Sequence, residues 1–231
     1  MTIIAAADGS ALGNPGPAGW AWYIDESSWR AGGWDHGTNN MGELTAVLNL
    51  LESTRHIADE PLKILCDSQY VINSITKWMP GWKKKGWKKK DGKPVLNVDI
   101  MKALDREMAG RTVEFEWVKG HAGHELNEAA DDRARAMATA YQAGDARPDM
   151  PVGPGFRDRD GSVQAAPTSA TVPASAQAQA QAQAQASTCE VNLTKSPTSS
   201  RSCGTPMRTR SFMTPTRVIA SPGTRNRPSR S

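Results

Sequence analysis

The distribution of tryptophans and charges divides this chain in two before any motif is read. All eight Trp lie at or before Trp117, seven of them before position 90. Residues 1–150 carry 18 Lys+Arg against 21 Asp+Glu, while residues 151–231 carry 10 against 3. The formal charge of +4 over 231 residues is therefore an average of two unlike parts. The first part is long enough to bury a core of its own. In the second, Ala176–Ala186 is a strict Ala-Gln alternation, and most of the remainder is Ser, Thr, Pro and Arg. Such a composition has too little apolar surface to offset the entropy of ordering. The expected organisation is one domain over 1–145 and a basic, low-complexity, disordered tail over 146–231.

The three cysteines, Cys66, Cys189 and Cys203, are odd in number and form no CxxC pair, which argues against a disulfide framework and a zinc site. The opening MTIIAAADGS has no basic n-region. No apolar stretch reaches the roughly 18 residues of a membrane span. A soluble, cytoplasmic protein is expected.

Within the first part the hydrophobic period changes along the chain. Thr2–Ala7 reads as a buried strand ending in an Asp8-Gly9-Ser10 turn, and Gly13-Asn14-Pro15-Gly16-Pro17 is strong turn chemistry. Gly19–Ile24 and Ser28–Gly37 read as two further strands joined by a hairpin at Asp25–Ser27. From Asn40, Leu44, Val47, Leu48 and Leu51 recur at helical spacing to about His56. Leu62–Cys66 is a short apolar strand, followed by Asp67-Ser68 and a helix carrying Val71, Ile72 and Ile75. After the cationic, aromatic stretch 77–94, Val95–Met108 is amphipathic, Val113–Val118 alternates as a strand, and Glu125–Tyr141 is built from helix formers. The fold expected is α/β: a five-stranded mixed sheet, three antiparallel strands then two parallel ones, flanked by helices.

The candidate chemistry sits at strand ends. Asp8 and Asp67 close the first and fourth strands and stand side by side if those strands are neighbours. Glu43 lies in the first turn of the covering helix, and Asp131 and Asp132 lie in the last helix. Helix neighbours point about 100° apart, so only one of that pair faces a cleft. Carboxylates gathered in one cleft repel each other unless divalent cations neutralise them, and hard oxygen ligands select Mg²⁺, with Mn²⁺ as a substitute. Two such ions activate water and stabilise the leaving oxygen of a phosphodiester without a nucleophilic side chain. Taken singly, each residue has a plainer reading: a turn, a helix-dipole partner, an N-cap.

Read together, the segments resemble the type 1 ribonuclease H family over about residues 1–142. The matching stretches are Asp8-Gly9-Ser10 with Gly13-Asn14-Pro15-Gly16-Pro17, and Thr38-Asn39-Asn40 with Glu43. Further along come Asp67-Ser68-Gln69-Tyr70-Val71, the Trp/Lys stretch with Asn97-Val98-Asp99, Val118-Lys119-Gly120-His121-Ala122-Gly123-His124, and Asn127-Glu128 with Asp131. The resemblance implies a ribonuclease H-like fold and an endonuclease that hydrolyses the RNA strand of RNA–DNA hybrids to 5′-phosphate and 3′-hydroxyl products by two-metal-ion catalysis. It implies Asp8, Glu43, Asp67 and Asp131 as metal-binding carboxylates, the spacing from His121 and Asn127 favouring Asp131 over Asp132. It implies His121 as the mobile-loop histidine assisting proton transfer or product departure. Asn14, Asn39, Asn40 and Gln69 match hybrid contacts in the minor groove, and Thr38 matches a DNA-phosphate contact.

Lys83, Lys84, Lys85, Lys88, Lys89 and Lys90 fall within eight residues, interleaved with Trp82 and Trp87 and preceded by Trp78. Lysines neutralise phosphates without reading sequence, and aromatic faces pack on sugars or bases. The resemblance makes this stretch a substrate-binding handle; the plainer reading is a solvated charge run with Trp78 and Trp82 facing the core. The competing functions are a non-catalytic hybrid-binding module, which predicts a lost carboxylate, and a DNA nuclease of the same broad fold, which leaves the Asn/Gln set and the handle without a purpose. A monomer is expected.

Overall fold

The computed structural model describes residues 1–146 and 151–163. Its elements are β1 (Ile3–Ala11), β2 (Gly16–Asp25), β3 (Ser28–Gly37), α1 (Asn39–Ser53), β4 (Leu62–Cys66), α2 (Gln69–Asn73), α3 (Met79–Lys84), α4 (Val98–Glu107), β5 (Val113–Trp117), α5 (Glu125–Ala143) and β6 (Val152–Gly155). The strands form one mixed sheet in the order β5-β4-β1-β2-β3-β6. β1, β2 and β3 pair antiparallel, and β4 and β5 extend the sheet in parallel from β1. No helix among the described residues is long and apolar enough to cross a membrane.

The two faces of the sheet are filled differently. On one, Trp20 and Trp22 of β2 join Leu44, Val47, Leu50 and Leu51 of α1 and Ile100, Met101 and Leu104 of α4 in a large cluster. Trp22 Nε1 donates to Asn49 Oδ1 at 2.8 Å, satisfying a buried indole inside that cluster. On the other, α5 lies on small side chains: Ala130 meets Ala6, and Ala134, Met137 and Tyr141 meet Ala21 and Ala31.

Three features differ from the sequence expectation. Asp8-Gly9-Ser10 is not a turn: β1 runs on to Ala11, with Asp8 paired to Ala21 and Gly9 to Trp20. Gly9 is small for packing, because a Cβ there would strike the backbone of Gly42 and Glu43 on α1. The helix expected after Ser68 is broken into α2, a π-helical turn over Ser74–Trp78, and α3. Pro80 has no N–H for the Thr76 carbonyl, so the regular ladder cannot pass through it.

The third difference is a sixth strand beyond the five expected. β6 pairs antiparallel with β3, and Phe156 buries itself in the large core cluster. Beyond it Asp158 pairs with His56 at 2.7 Å and Arg159 with Glu60 at 2.7 Å. Residues 151–163, which the sequence placed in the tail, are therefore structured; the rest of the expected tail, 147–150 and 164–231, lies outside the described residues.

Candidate active site

The parallel pairing of β1 with β4 sets Ala6 opposite Leu65, so two residues further Asp8, within β1, stands opposite Asp67, the first residue past the end of β4. Asp8 projects on the same side as Ala6, toward α5. Glu43 comes from the first turns of α1, which start at a cap where Thr38 Oγ1 accepts from Met41 N at 3.2 Å. Because Gly9 carries no side chain, α1 presses onto β1 and Glu43 reaches the cluster. Oxygens of Asp8, Glu43 and Asp67 lie within 4.8 Å of one another.

Burial and mutual repulsion raise the proton affinity of this group. Desolvation, then the Asp67 charge, pushes Asp8 up to about 8. Desolvation, opposed by a hydrogen bond from the Ser68 hydroxyl and helped by the Asp67 charge, pushes Glu43 to about 7, and Asp67 is itself raised by burial and by Asp131. Glu43 Oε1 accepts from Asn39 Nδ2 at 2.9 Å, whereas its Oε2 is buried with no hydrogen-bond partner among the described residues. An orphaned carboxylate oxygen among converging anions suits a hard divalent cation.

Asp131 stands outside the tight group but close enough to raise both aspartates. Its side chain is 14 % exposed and its Oδ2 lies 3.5 Å from His121 Nδ1 and 3.0 Å from Arg135. Asp132, one step round the helix, is exposed. His121 is 70 % exposed on the loop before α5, at φ 51, a left-handed conformation uncommon outside glycine. A side chain at neighbouring Gly120 would collide with the Asp67 carboxylate.

The polar residues expected at the substrate take varied places. Asn14 is exposed in the β1–β2 loop, its Oδ1 accepting from Asn39 N at 3.4 Å. Asn40 is half-buried beside it, and Gln69 is exposed at the start of α2. Trp78 is 41 % exposed and packs at 5.8 Å on Trp82, so it is not a core residue. Trp82 and Trp87 are half-buried against the core. Lys83 pairs with Asp105 on α4 at 2.7 Å, while Lys84, Lys85 and Lys88 are exposed. Two participants went unread in the sequence. Arg135 was signalled by its i, i+4 spacing from Asp131, and the bond from Trp117 Nε1 to the Asp67 carbonyl at 2.9 Å had no local signal.

A family model described as RNase H matches residues 2–139. The chain belongs to the ribonuclease H family. A ribonuclease H of Tropheryma whipplei strain Twist is 55 % identical over 157 residues, covering 68 % of this chain and 95 % of that protein. A match of that length cannot end before β6. Ribonuclease HI of Streptomyces coelicolor is 45 % identical, covering 61 % of this chain and 63 % of its own. Among solved structures, LC9-RNase H1, a type 1 RNase H with the type 2 active-site motif, superposes with TM-score 0.51 at 25 % identity over 74 % of this chain and 97 % of that one. A foamy viral protease-reverse transcriptase in complex with RNA/DNA hybrid has TM-score 0.52 at 19 % identity over 58 % of this chain and 20 % of that one, a likeness of fold. Membership of the ribonuclease H family makes this chain a hydrolase.

Proposed function

We propose that this chain is an endonuclease that cuts the RNA strand of RNA–DNA hybrids, leaving 5′-phosphate and 3′-hydroxyl ends, with Asp8, Glu43, Asp67 and Asp131 holding two Mg²⁺ ions. The observation that carries it is the convergence of three carboxylates from β1, α1 and β4, one with a buried unpartnered oxygen. Divalent cations bound there supply an activated water and neutralise charge developing on the scissile phosphate. The chain's own residues hold the geometry. Asn39 orients Glu43 through its amide, and Arg135 fixes one face of Asp131. His121 turns Nδ1 toward Asp131, leaving Nε2 to pass a proton to the departing 3′ oxygen.

Asn14, Asn40 and Gln69 line the approach as amides able to bond 2′-hydroxyls, the group that separates RNA from DNA. Thr38 and the handle, with Trp78, Trp82, Trp87 and Lys83, Lys84, Lys85 and Lys88, take the DNA strand through phosphate and sugar contacts. All four carboxylates come from one chain, which favours a monomer with its catalytic unit in residues 1–145. The free, buried Cys66 fits a reducing, cytoplasmic setting.

The test uses a hybrid labelled on its RNA strand, with Mg²⁺ or with EDTA, beside Asp8→Asn. Internal RNA cleavage that needs both metal and Asp8 is expected. Salt-sensitive binding without cleavage under Mg²⁺ or Mn²⁺ would overturn the reading in favour of a hybrid-binding module.

A further inference from the structure

A shallow groove of about 300 Å³ lies beside the carboxylates, lined by Gln69, Ile72, Asn73, Lys77 and Trp117. Gln69 apart, these residues have no part in the function proposed above. The groove adjoins the acidic cluster, because α2 begins two residues after Asp67 and the Trp117 indole donates to the Asp67 carbonyl. Trp117 is 49 % exposed at the end of the edge strand β5, too open to serve as a core residue. Lys77 is exposed and makes no ion pair among the described residues. Other lysines of the fold are treated otherwise: Lys63 is held by Glu114 and Glu116, and Lys83 by Asp105.

The lining carries one aromatic face, one free ammonium, two amides and no carboxylate. An indole face accepts a base or ribose, an ammonium a phosphate, and side-chain amides a 2′-hydroxyl or base edge. That combination fits successive nucleotides of one strand and lacks the apolar enclosure a small organic ligand would need. Gln69 and Asn73 lie one turn apart on α2, and Lys77 follows in the π-helical turn, so the groove's polar groups are spread along the chain and not gathered at one point.

We propose that this groove is a subsite for the RNA strand of the hybrid, a few nucleotides from the bond that is cut, with Lys77 on a phosphate, Asn73 on a sugar hydroxyl and Trp117 beneath a base or ribose. The inference rests on the proposed hybrid nuclease function: RNA is the occupant because two of the groove's walls, α2 and Trp117, are tied to Asp67, where that strand is cut, while the DNA strand is assigned to Thr38 and the handle.

The experiment compares the full chain with its Lys77→Gln and Lys77→Arg variants, using hybrids whose RNA or DNA strand is shortened stepwise from either end, over a range of salt. Lys77→Gln is expected to raise KM roughly threefold to tenfold and make the salt dependence shallower by about one ion, with kcat little changed. Lys77→Arg keeps the wild-type KM. When the RNA is trimmed past the groove, wild type and Lys77→Gln converge. A wild type that cleaves normally beside an indifferent Lys77→Gln overturns this inference alone. So does a Lys77→Gln effect that survives RNA trimming and vanishes on DNA trimming. A fall in kcat at constant KM overturns it as well, by placing Lys77 in the cleft geometry. A wild type that cuts no hybrid overturns the functional reading and this inference with it.

Discussion

Asp8 and Glu43 keep their protons to about 8 and about 7, so the fold carries a cluster that prefers to be neutral. For a carboxyl whose folded value lies above its unfolded one, the stabilising contribution is complete below the unfolded value near 3.8 and is lost as pH rises through the folded value. In EDTA, the melting temperature should therefore fall between pH 5 and 8.5. Asp8→Asn should flatten that fall and stabilise the metal-free protein at pH 8.5 by roughly 2–4 kcal/mol. Thermal melts across pH check both, and Mg²⁺ at pH 8.5 should raise the wild type more than the variant. Gly120 offers a different separation. Gly120→Ala sets a methyl against the Asp67 carboxylate, and displacing that group by even 1 Å should lower kcat about 100-fold. The loop is open to solvent, so the melting temperature should barely move; a variant with wild-type kcat would show the loop yields freely.

The elements show how far a sequence can be read. Ser28–Gly37 was legible to the residue because its turns and alternation are local signals, and Leu62–Cys66 because a short apolar run ended in Asp-Ser. The carboxylates were singled out by their strand ends and their order along the chain; the meeting of Asp8, Glu43 and Asp67 depends on β1 lying beside β4, a contact between residues about 60 apart. Asp8-Gly9-Ser10 was misread since glycine signals both turns and close packing, and only the position of α1 separates the two. Gly9→Ala should therefore cost about 2–3 kcal/mol by overpacking and lower activity with it, measured by denaturant unfolding. β6 was missed because Val152-Gly153-Pro154-Gly155 has turn composition; proline is tolerated there since an edge strand can spare one N–H. On the handle, Lys84→Gln and Lys85→Gln should each make the salt dependence of KM shallower by about one ion without changing kcat, whereas Trp82, packed on the core, should cost stability when truncated.

Across the whole molecule the sheet has two unlike poles. Asp8 and Asp67 lie just beyond the paired stretch of β1 and β4, while Phe156, His56 and Asp158 meet at the opposite end beside Ile3. Ile3 and Asp8 are separated along β1 by about 17 Å. Phe156→Ala should cost about 3–4 kcal/mol in unfolding free energy and leave kcat unchanged on the surviving folded protein; a matching loss of kcat would show that the poles are mechanically joined. The same arrangement fixes a mooring point. The described fold ends at Val163, paired with Arg157 on the pole away from the carboxylates. Cargo attached there, whether a dye, a bead or another folded unit, would start from the end of the sheet away from Asp8 and Asp67, and the cleavage proposed above is expected to proceed unchanged.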